Sequence, residues 1–287
     1  MADRIGAIVI TRNEAANIEA CLESLQFCDR RMVVDSFSDD DTVERACRLA
    51  DLVVRREFVN HAEQKNWASD QLDTEWILVL DADERISPEL ADELRRCVEF
   101  GTCDGWWIHR RNWFFGRFIK GAGWSRDRVL RLYRMGRGRY DERSVHEEVQ
   151  MDADASVGTC ENRMAHFTYT EWSSTFERFL SYSRGGASDR RRRGKRGSGG
   201  AVVFKPVGRF FRQYFVDRGW RDGLHGLVLC QWAAAGVFLR ESRLLVEAAS
   251  DEDVNRGPGA NPRVECAKGE LASGSGGNPQ ATAPAGE

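Results

Sequence analysis

The stretch WILVLDADE at residues 76–84 runs five apolar residues directly into two carboxylates, Asp81 and Asp83, that are separated by one residue. A short apolar run of this length is typical of a fully buried strand, and the acidic pair then falls where the strand leaves the core. In an open parallel α/β sheet, ligands bind in the crevice at the carboxyl ends of the strands. We therefore expect a ligand site at this pair.

Two carboxylates at such a place are unfavourable unless an opposite charge neutralises them. Mg²⁺ or Mn²⁺ is suited to this role, because it is held by one or two carboxylates and completes its shell with water and substrate phosphate. The pair therefore predicts a divalent-cation site. The alternative is that the two residues form an acidic turn that caps a helix beginning near Pro88.

The chain upstream of the acidic pair alternates between strand and helix patterns. Apolar runs at residues 5–10, 32–35 and 52–54 predict strands, and the stretch at 18–25 carries apolar residues at helical spacing. This alternation predicts a parallel sheet with flanking helices. The polar turns after the first two strands should then open on the same edge as Asp81 and Asp83. Downstream, Ser87 and Pro88 predict the start of a further helix.

The pattern changes at residues 106–133, where short aromatic-rich segments replace the strand and helix repeats. This change indicates a second half of the protein that receives a different ligand. Exposed aromatic faces suit the apolar CH groups of sugar rings. The alternative is that these aromatic side chains belong to the core.

The composition is that of a soluble globular protein, with 41% apolar and 30% charged residues in 287. The net charge of −3 hides a basic block at residues 184–212, which can meet phosphate or an acidic membrane surface. Eight Cys occur without a Cys-x-x-Cys pair and no secretory leader is evident, which indicates a reducing cytosolic compartment. A structural zinc site is not expected.

The C-terminal third divides by composition into three parts. A Gly-, Ser- and Arg-rich stretch predicts a basic flexible loop at 184–200, apolar periodicity predicts a helical extension at 201–249, and the polar remainder at 250–287 predicts a disordered tail. The apolar run at 224–239 is shorter than the ~20 residues that span a bilayer. It is either an interfacial helix or a helix packed on the domain.

Three motifs in order, at residues 8–14, 33–36 and 80–84, resemble those of family-2 glycosyltransferases with the GT-A fold. Within that family the chain is most similar to bacterial lipopolysaccharide-core β-glucosyltransferases, through 131–134 (RLYR), 145–147 (VHE), His166 and the aromatic region at 214–238. The similarity covers about residues 4–245. It departs at 36–41, where many relatives carry a Gly before their helix.

The resemblance implies a Rossmann-like, mostly parallel α/β sheet with flanking helices and a helical C-terminal extension. It places a catalytic domain at 1–183, with a nucleotide-sugar half at about 1–100 and an acceptor half at about 101–183. The implied nucleotide-sugar-binding residues are Thr11, Asn13, Glu14, Asp35, Lys65, Asn66 and Asp81. The implied metal ligands are Asp83, Asp81 and His166. Thr11 and Asn13 have the alternative role of capping the following helix.

The function that the resemblance implies is inverting transfer of a hexose, with glucose from a UDP-sugar as the expected donor, dependent on Mg²⁺ or Mn²⁺. The expected acceptor is the lipopolysaccharide core or another cell-envelope glycolipid. The expected location is cytoplasmic, peripheral at the inner face of the cytoplasmic membrane, where the basic block meets anionic lipid. Nucleic acid is not an expected partner, because the basic block has no interleaved aromatic residues.

Inversion requires a base on the face of the sugar opposite the diphosphate. Glu147 is the predicted base and His146 its partner, since both lie in the segment that faces the acceptor in relatives. Asp141, Glu148 and His146 itself are the alternatives.

Two other functions fit parts of the pattern. A haloacid-dehalogenase-like phosphatase also places Asp-x-Asp after an apolar strand, but normally after its first strand and with Thr or Val following. A non-catalytic nucleotide-sugar-binding protein would keep the pocket without a base.

Overall fold

The computed structural model describes residues 5–141 and 148–255. Its strands are β1 (Ile5–Thr11), β2 (Arg30–Asp35), β3 (Leu52–Arg55), β4 (Trp76–Asp81), β5 (Glu84–Arg85), β6 (Gly105–Phe114), β7 (Arg117–Phe118), β8 (Arg128–Arg134), β9 (Gly138–Tyr140), β10 (Val149–Met151) and β11 (Val157–Tyr169). Its helices are α1 (Ile18–Glu23), α2 (Thr42–Ala46), α3 (His61–Asp70), α4 (Pro88–Phe100), α5 (Trp172–Arg192), α6 (Gly199–Phe211) and α7 (Gly223–Asn255). Short 3₁₀ helices at Trp124–Arg126 and Gly219–Asp222 and a π-helical turn at Arg212–Val216 complete the described chain.

Within the described residues, nine strands form one sheet in the order β3-β2-β1-β4-β8-β6-β11-β5, with β7 paired to β6. The first four strands in this order are parallel, as the alternation of strands and helices predicts. The rest of the sheet is mixed, since β8 runs antiparallel to both β4 and β6. The physical reason is the connection: β6 returns to β8 through short turns without a crossover helix, and such connections join antiparallel strands.

The parallel half of the sheet has an apolar core on each face. Alternate residues of β1 divide between them: Ile5, Ala7 and Val9 belong to the core that includes α1 and α4, and Ile8 and Ile10 to the core that includes α3. Burial on both faces explains why these strands are continuous apolar runs in the sequence.

Helix α4 begins as predicted. The Ser87 hydroxyl accepts the backbone N–H of Leu90 at 3.3 Å, and Pro88 occupies the first turn, where its missing N–H has no cost. Because Ser87 is the cap, the acidic-turn alternative for Asp81 and Asp83 is wrong.

The predicted basic flexible loop at 184–200 is wrong over most of its length. Helix α5 continues to Arg192, and α6 begins at Gly199. Arg is a good helix former, and a run of Arg in the last turn interacts favourably with the negative end of the helix dipole. Thr175, Ser183 and Ala187 are buried, and α5 packs on α7. The basic residues thus extend an amphipathic helix.

The C-terminal helices pack on one another and on the end of the sheet. Helix α7 contacts α5 and α6, and its Leu229 and Cys230 join a core cluster with Phe114 and Ile119. One stretch of the described chain, Gly219–Val246, is long and apolar enough to cross a membrane, by length and composition alone. Core helices of soluble proteins pass the same test. Residues 256–287 of the predicted tail lie outside the described residues.

Candidate active site

The site lies where the strand order reverses at β1, whose neighbours are β2 on one side and β4 on the other. Thr11 is in register with Asp35, and Ile10 with Asp81, so three polar side chains leave the sheet at one edge. This is the topological switch point at which open α/β sheets bind ligands. A cavity of about 630 Å³ opens there, which we call the strand-end cleft; it is lined by residues that include Thr11, Asp81, Asp83 and His166.

Asp35 organises the two turns that form one wall of this cleft. Its buried carboxylate accepts the backbone N–H of Ser38 at 2.9 Å and the Ser38 hydroxyl. The same hydroxyl accepts the backbone N–H of Asn13 at 2.9 Å, which joins the turn after β1 to the turn after β2. Phe37, in the turn after β2, has φ +55° in the left-handed region that favours glycine.

Asp81 is neutralised by two buried cations of the protein. Lys65 Nζ lies 3.2 Å from Asp81 Oδ1, and the Arg131 guanidinium bonds Oδ2. Arg131 also bonds the fully buried Glu84 at 2.7 Å. Burial raises the pKa of Asp81, but the charges of Arg131 and Lys65 outweigh it and hold this pKa well below its ordinary value. The Asp81 carboxylate is therefore ionised, with each oxygen engaged.

Asp83 lies beside a histidine that β11 brings to the acidic pair. His166 is in register with Glu84 across β5 and β11. Its Nε2 lies 3.5 Å from Asp83 Oδ2, and the Thr168 hydroxyl is 3.3 Å from the same oxygen.

The hydrogen bonds of Asn112 fix the tautomer of His166. Asp127 receives two bonds from Arg110, each of 2.9 Å, and one from the Asn112 amide nitrogen at 2.8 Å. Burial raises the pKa of Asp127, and the bonds from Arg110 and Asn112 lower it below its ordinary value. Because an ionised carboxylate only accepts, Asn112 must direct its NH₂ to Asp127 and its oxygen to His166 Nδ1, at 2.6 Å. Nδ1 is then the donor, and Nε2 of the neutral imidazole is the acceptor, within hydrogen-bonding distance of the Thr168 hydroxyl and 3.5 Å from Asp83 Oδ2.

Asp83 and His166 fit a divalent cation. Their Oδ2 and Nε2 atoms are close enough to be two ligands of one ion, and an imidazole oriented by an outer hydrogen bond is typical of metal sites. In the part of the chain that the structure describes, no group of three or more His, Cys, Asp or Glu side chains could hold a metal. Two protein ligands suit Mg²⁺ or Mn²⁺, which take their other positions from water and substrate phosphate.

The sequence model of "Glycosyl transferase family 2" matches residues 7–153. The chain belongs to this family. Among its relatives is the "Lipopolysaccharide core biosynthesis glycosyltransferase LpsC" of Rhizobium meliloti (strain 1021), 29% identical over 84% of this chain and 91% of the relative. An "uncharacterized glycosyltransferase" of Rickettsia bellii (strain RML369-C) is 27% identical over 84% of this chain and 86% of that protein.

Solved structures similar to this family-2 glycosyltransferase include TarS of S. aureus in complex with UDP, at 16% identity and a TM-score of 0.46 over 83% of this chain and 90% of that one. A second is glucosyl-3-phosphoglycerate synthase of Mycobacterium tuberculosis with Mn²⁺, UDP and glucosyl-3-phosphoglycerate. It is 23% identical, with a TM-score of 0.32, over 40% of this chain and 45% of that one.

Family membership confirms the resemblance and the α/β GT-A fold that it implies, and excludes the phosphatase alternative. The structure also shows where the expected binding residues of this glycosyltransferase lie. Thr11, Glu14, Asp81, Asp83 and His166 line the strand-end cleft.

The other expected donor-binding residues are not among those that line the cleft. Asp35 and Asn13 support the turns beside it, and Lys65 pairs with the cleft residue Asp81. Asn66 differs from its expected role, because its side-chain amide bonds both the N–H and the C=O of Tyr140 at 2.9 Å and so ties α3 to β9.

The predicted base and its partner, Glu147 and His146, lie outside the described residues. Sequence reasoning also missed Arg110, Asn112 and Asp127 as site residues. Each is a common polar residue in an aromatic-rich segment. The parallel pairing of β6 with β11 places Asn112 in register with His166, and the antiparallel pairing of β6 with β8 brings Asp127 beside Arg110.

Proposed function

We propose that this glycosyltransferase carries out inverting, metal-dependent transfer of a hexose, glucose from UDP-glucose, to a lipopolysaccharide-core or other cell-envelope glycan acceptor. The main observation in support of this proposal is that Asp83 and His166 lie together in a cleft at the switch point of the sheet. The sugar and the acceptor are supported by the motif resemblance and by the lipopolysaccharide-core relative.

Asp83 and His166 Nε2 would hold the Mg²⁺ or Mn²⁺, with Asp127 and Asn112 keeping His166 in the required tautomer. The metal, when bound, supplies Lewis-acid stabilisation of the charge that develops on the leaving diphosphate. Arg12 also lines the cleft and is exposed, so its guanidinium can pair with the diphosphate oxygens. Asp81, fixed by Lys65 and Arg131, accepts donor hydroxyls.

The base is proposed to be Glu147, with His146 orienting it or acting in its place. Asp141 and Glu148, the alternatives, border this segment at the end of β9 and the start of β10. Asp83 and His166 are not available as bases because they face the diphosphate side. The base takes the proton of the acceptor hydroxyl as its oxygen attacks the anomeric carbon.

We further propose that the protein is peripheral at the inner face of the cytoplasmic membrane. Helix α6 and the turn after it expose a row of aromatic and apolar side chains at positions 204, 207, 211 and 215, with Phe204 74% exposed. Spacings of three and four place this row on one helix face. Arginines 191 and 192 at the end of α5 are exposed nearby in sequence. Basic and apolar residues together are typical of interfacial helices on anionic membranes.

Incubation with a panel of nucleotide-sugars and Mn²⁺ tests the proposal, with nucleotide release and glycolipid product as readouts. We expect UDP-glucose to be the preferred donor and a chelator to abolish release. Asp83→Asn should behave like the chelated wild type, while the exposed control Asp154→Asn should be normal. Full activity of Asp83→Asn with chelator present would contradict metal dependence, and donor binding without transfer to any acceptor would support the non-catalytic alternative.

A further inference from the structure

A second cavity, of about 720 Å³, lies between α5, α6 and α7. We call it the helix cavity. It shares Trp124 and Tyr169 with the strand-end cleft, and these two rings stack at 5.5 Å between centroids. The two cavities are therefore neighbours on either side of one aromatic pair.

One wall of the helix cavity is cationic. Five basic side chains line it: Arg190, Lys205, Arg209, Arg212 and Arg240. The buried carboxylate of Glu241 bonds three of them, Lys205 at 2.8 Å, Arg190 at 3.0 Å and Arg240 at 3.1 Å. One negative charge thus faces three positive ones, each from a different helix. The wall keeps an excess of positive charge.

The remaining two arginines add to this excess. In the described chain, no carboxylate lies within ion-pairing distance of Arg209, and the partner of Arg212, Asp217, lies at 3.9 Å and also pairs with Arg126. Both arginines are exposed, so their guanidinium groups are available to a ligand. Arginine forks match the oxygens of phosphate, and a phosphate brings up to about two negative charges to such a wall.

The other wall is aromatic, and the space between the walls is kept clear. Trp232 packs on Phe179 with 4.6 Å between ring centroids. Gly208 lies inside α6, where Gly costs about 1 kcal/mol relative to Ala. A methyl group at Gly208 would meet no atom within 4 Å, so helix packing does not require Gly there. The cavity is open at this position, beside Arg209.

We propose that the helix cavity binds a phosphate-bearing amphiphile, with the phosphate on Arg209 and Arg212 and the apolar or sugar part on Trp232 and Phe179. The identification of this ligand as the acceptor of transfer rests on the proposed function, because the cavity adjoins the strand-end cleft. The binding itself does not depend on transfer.

Calorimetric titration of the full chain tests the proposal with soluble probes below their critical micelle concentrations. The probes are dihexanoyl phosphatidic acid, dihexanoylglycerol, which lacks the phosphate, and inorganic phosphate. We expect the phosphatidic acid to bind at least tenfold more tightly than either of the others. Equal affinity for the dihexanoylglycerol would overturn the phosphate contact, and equal affinity for inorganic phosphate would overturn the amphiphile site.

The double variant Arg209→Ala/Arg212→Ala should weaken phosphatidic acid binding at least tenfold. The control Arg48→Ala/Arg96→Ala removes two exposed arginines outside both cavities and should bind as the wild type does. Wild-type affinity in the first variant would overturn the proposal. UDP affinity should be the same in all three proteins, which shows that the strand-end cleft is intact. If the lipid binds and no sugar is transferred to any acceptor, the proposed function fails while the lipid site stands.

Discussion

The buried carboxylate of Asp222 accepts the backbone N–H of Gly121 at 2.6 Å. Its other oxygen accepts the N–H of Lys120 at 2.9 Å, so one side chain at the end of the 3₁₀ helix before α7 satisfies two donors of the loop after β7. A Cβ on Gly121 would clash with the Arg218 carbonyl oxygen, which shows how closely the two segments approach.

Asp222→Ala should destabilise the protein by about 1–3 kcal/mol for each N–H left without an acceptor. Urea unfolding measures this loss. Asp222→Asn keeps one acceptor oxygen and should fall between Asp222→Ala and the wild type, whereas the exposed control Asp154→Ala should unfold at the wild-type urea concentration. An unchanged urea midpoint for Asp222→Ala would show that the two hydrogen bonds do not stabilise the packing of the C-terminal helices on the loop after β7.

Arg131→Met should cost about 3–5 kcal/mol, because it leaves the Asp81 and Glu84 carboxylates without their shared buried cation. The pKa of Asp81 is held below its unfolded value of about 3.9. Asp81 therefore stabilises the fold above that pH, and its contribution is lost as the pH falls toward the folded pKa. Urea unfolding measures the free energy of unfolding at pH 7 and at pH 3.5. The decrease between the two pH values should be smaller in Arg131→Met than in the wild type.

The matched control for that variant is Arg137→Met, whose ion pairs are at the surface. It should leave both the unfolding midpoint and its pH dependence close to those of the wild type. If Arg131→Met and Arg137→Met behave alike, the Arg131 ion pairs do not stabilise the fold.

Asn112→Leu should weaken Mn²⁺ binding about 10–100-fold, because it removes the acceptor that keeps His166 in its metal-binding tautomer. The affinity is measured by titrating Mn²⁺ in the presence of UDP. Asn162→Leu changes an amide that bonds Glu93 instead and should bind Mn²⁺ normally. An affinity for Asn112→Leu within twofold of the wild type would remove Asn112 from the proposed metal site.

Glu147→Gln should lower turnover by about 10²–10⁴-fold, the usual loss when a general base is removed. Donor affinity, measured by calorimetry, should barely change because the base acts on the acceptor. Near-normal turnover would move the assignment to Asp141, Glu148 or His146. A collapse of donor affinity would make Glu147 a binding residue instead.

Phe204→Ser/Phe211→Ser should reduce co-sedimentation with anionic vesicles at low salt, since each buried aromatic side chain contributes about 1.5–3 kcal/mol. Phe100→Ser is the matched control, because Phe100 is 73% exposed at the end of α4, outside the row on α6. A wild-type protein that stays in the supernatant at low salt would contradict the membrane proposal.

The sequence was sufficient to predict the parts of the site that lie on buried parallel strands. The apolar run before Asp81 identifies β4, and the order of strands then places Asp35 and Asp81 on one edge. The groups that neutralise the charge of Asp81 could not be predicted in the same way. A metal was expected to neutralise both carboxylates, but Lys65 and Arg131, both distant in sequence, reach Asp81 in the fold. Such contacts leave no local pattern in the chain.

Helix α5 shows a different limit. Its Gly and Arg residues have the composition of a loop, and only packing against α7 reveals which side of the segment is buried. A polar composition indicates that a segment is exposed to solvent. It does not distinguish a surface loop from the solvent-facing side of a helix.

The stacked rings of Trp124 and Tyr169 form a common wall of the strand-end cleft and the helix cavity. A substitution at this wall therefore changes the shape of both spaces at once. During evolution, specificity on the two sides could not diverge independently at these positions. Positions that face one cavity alone, such as Phe179 or Phe58, carry no such constraint and are where related enzymes could diversify.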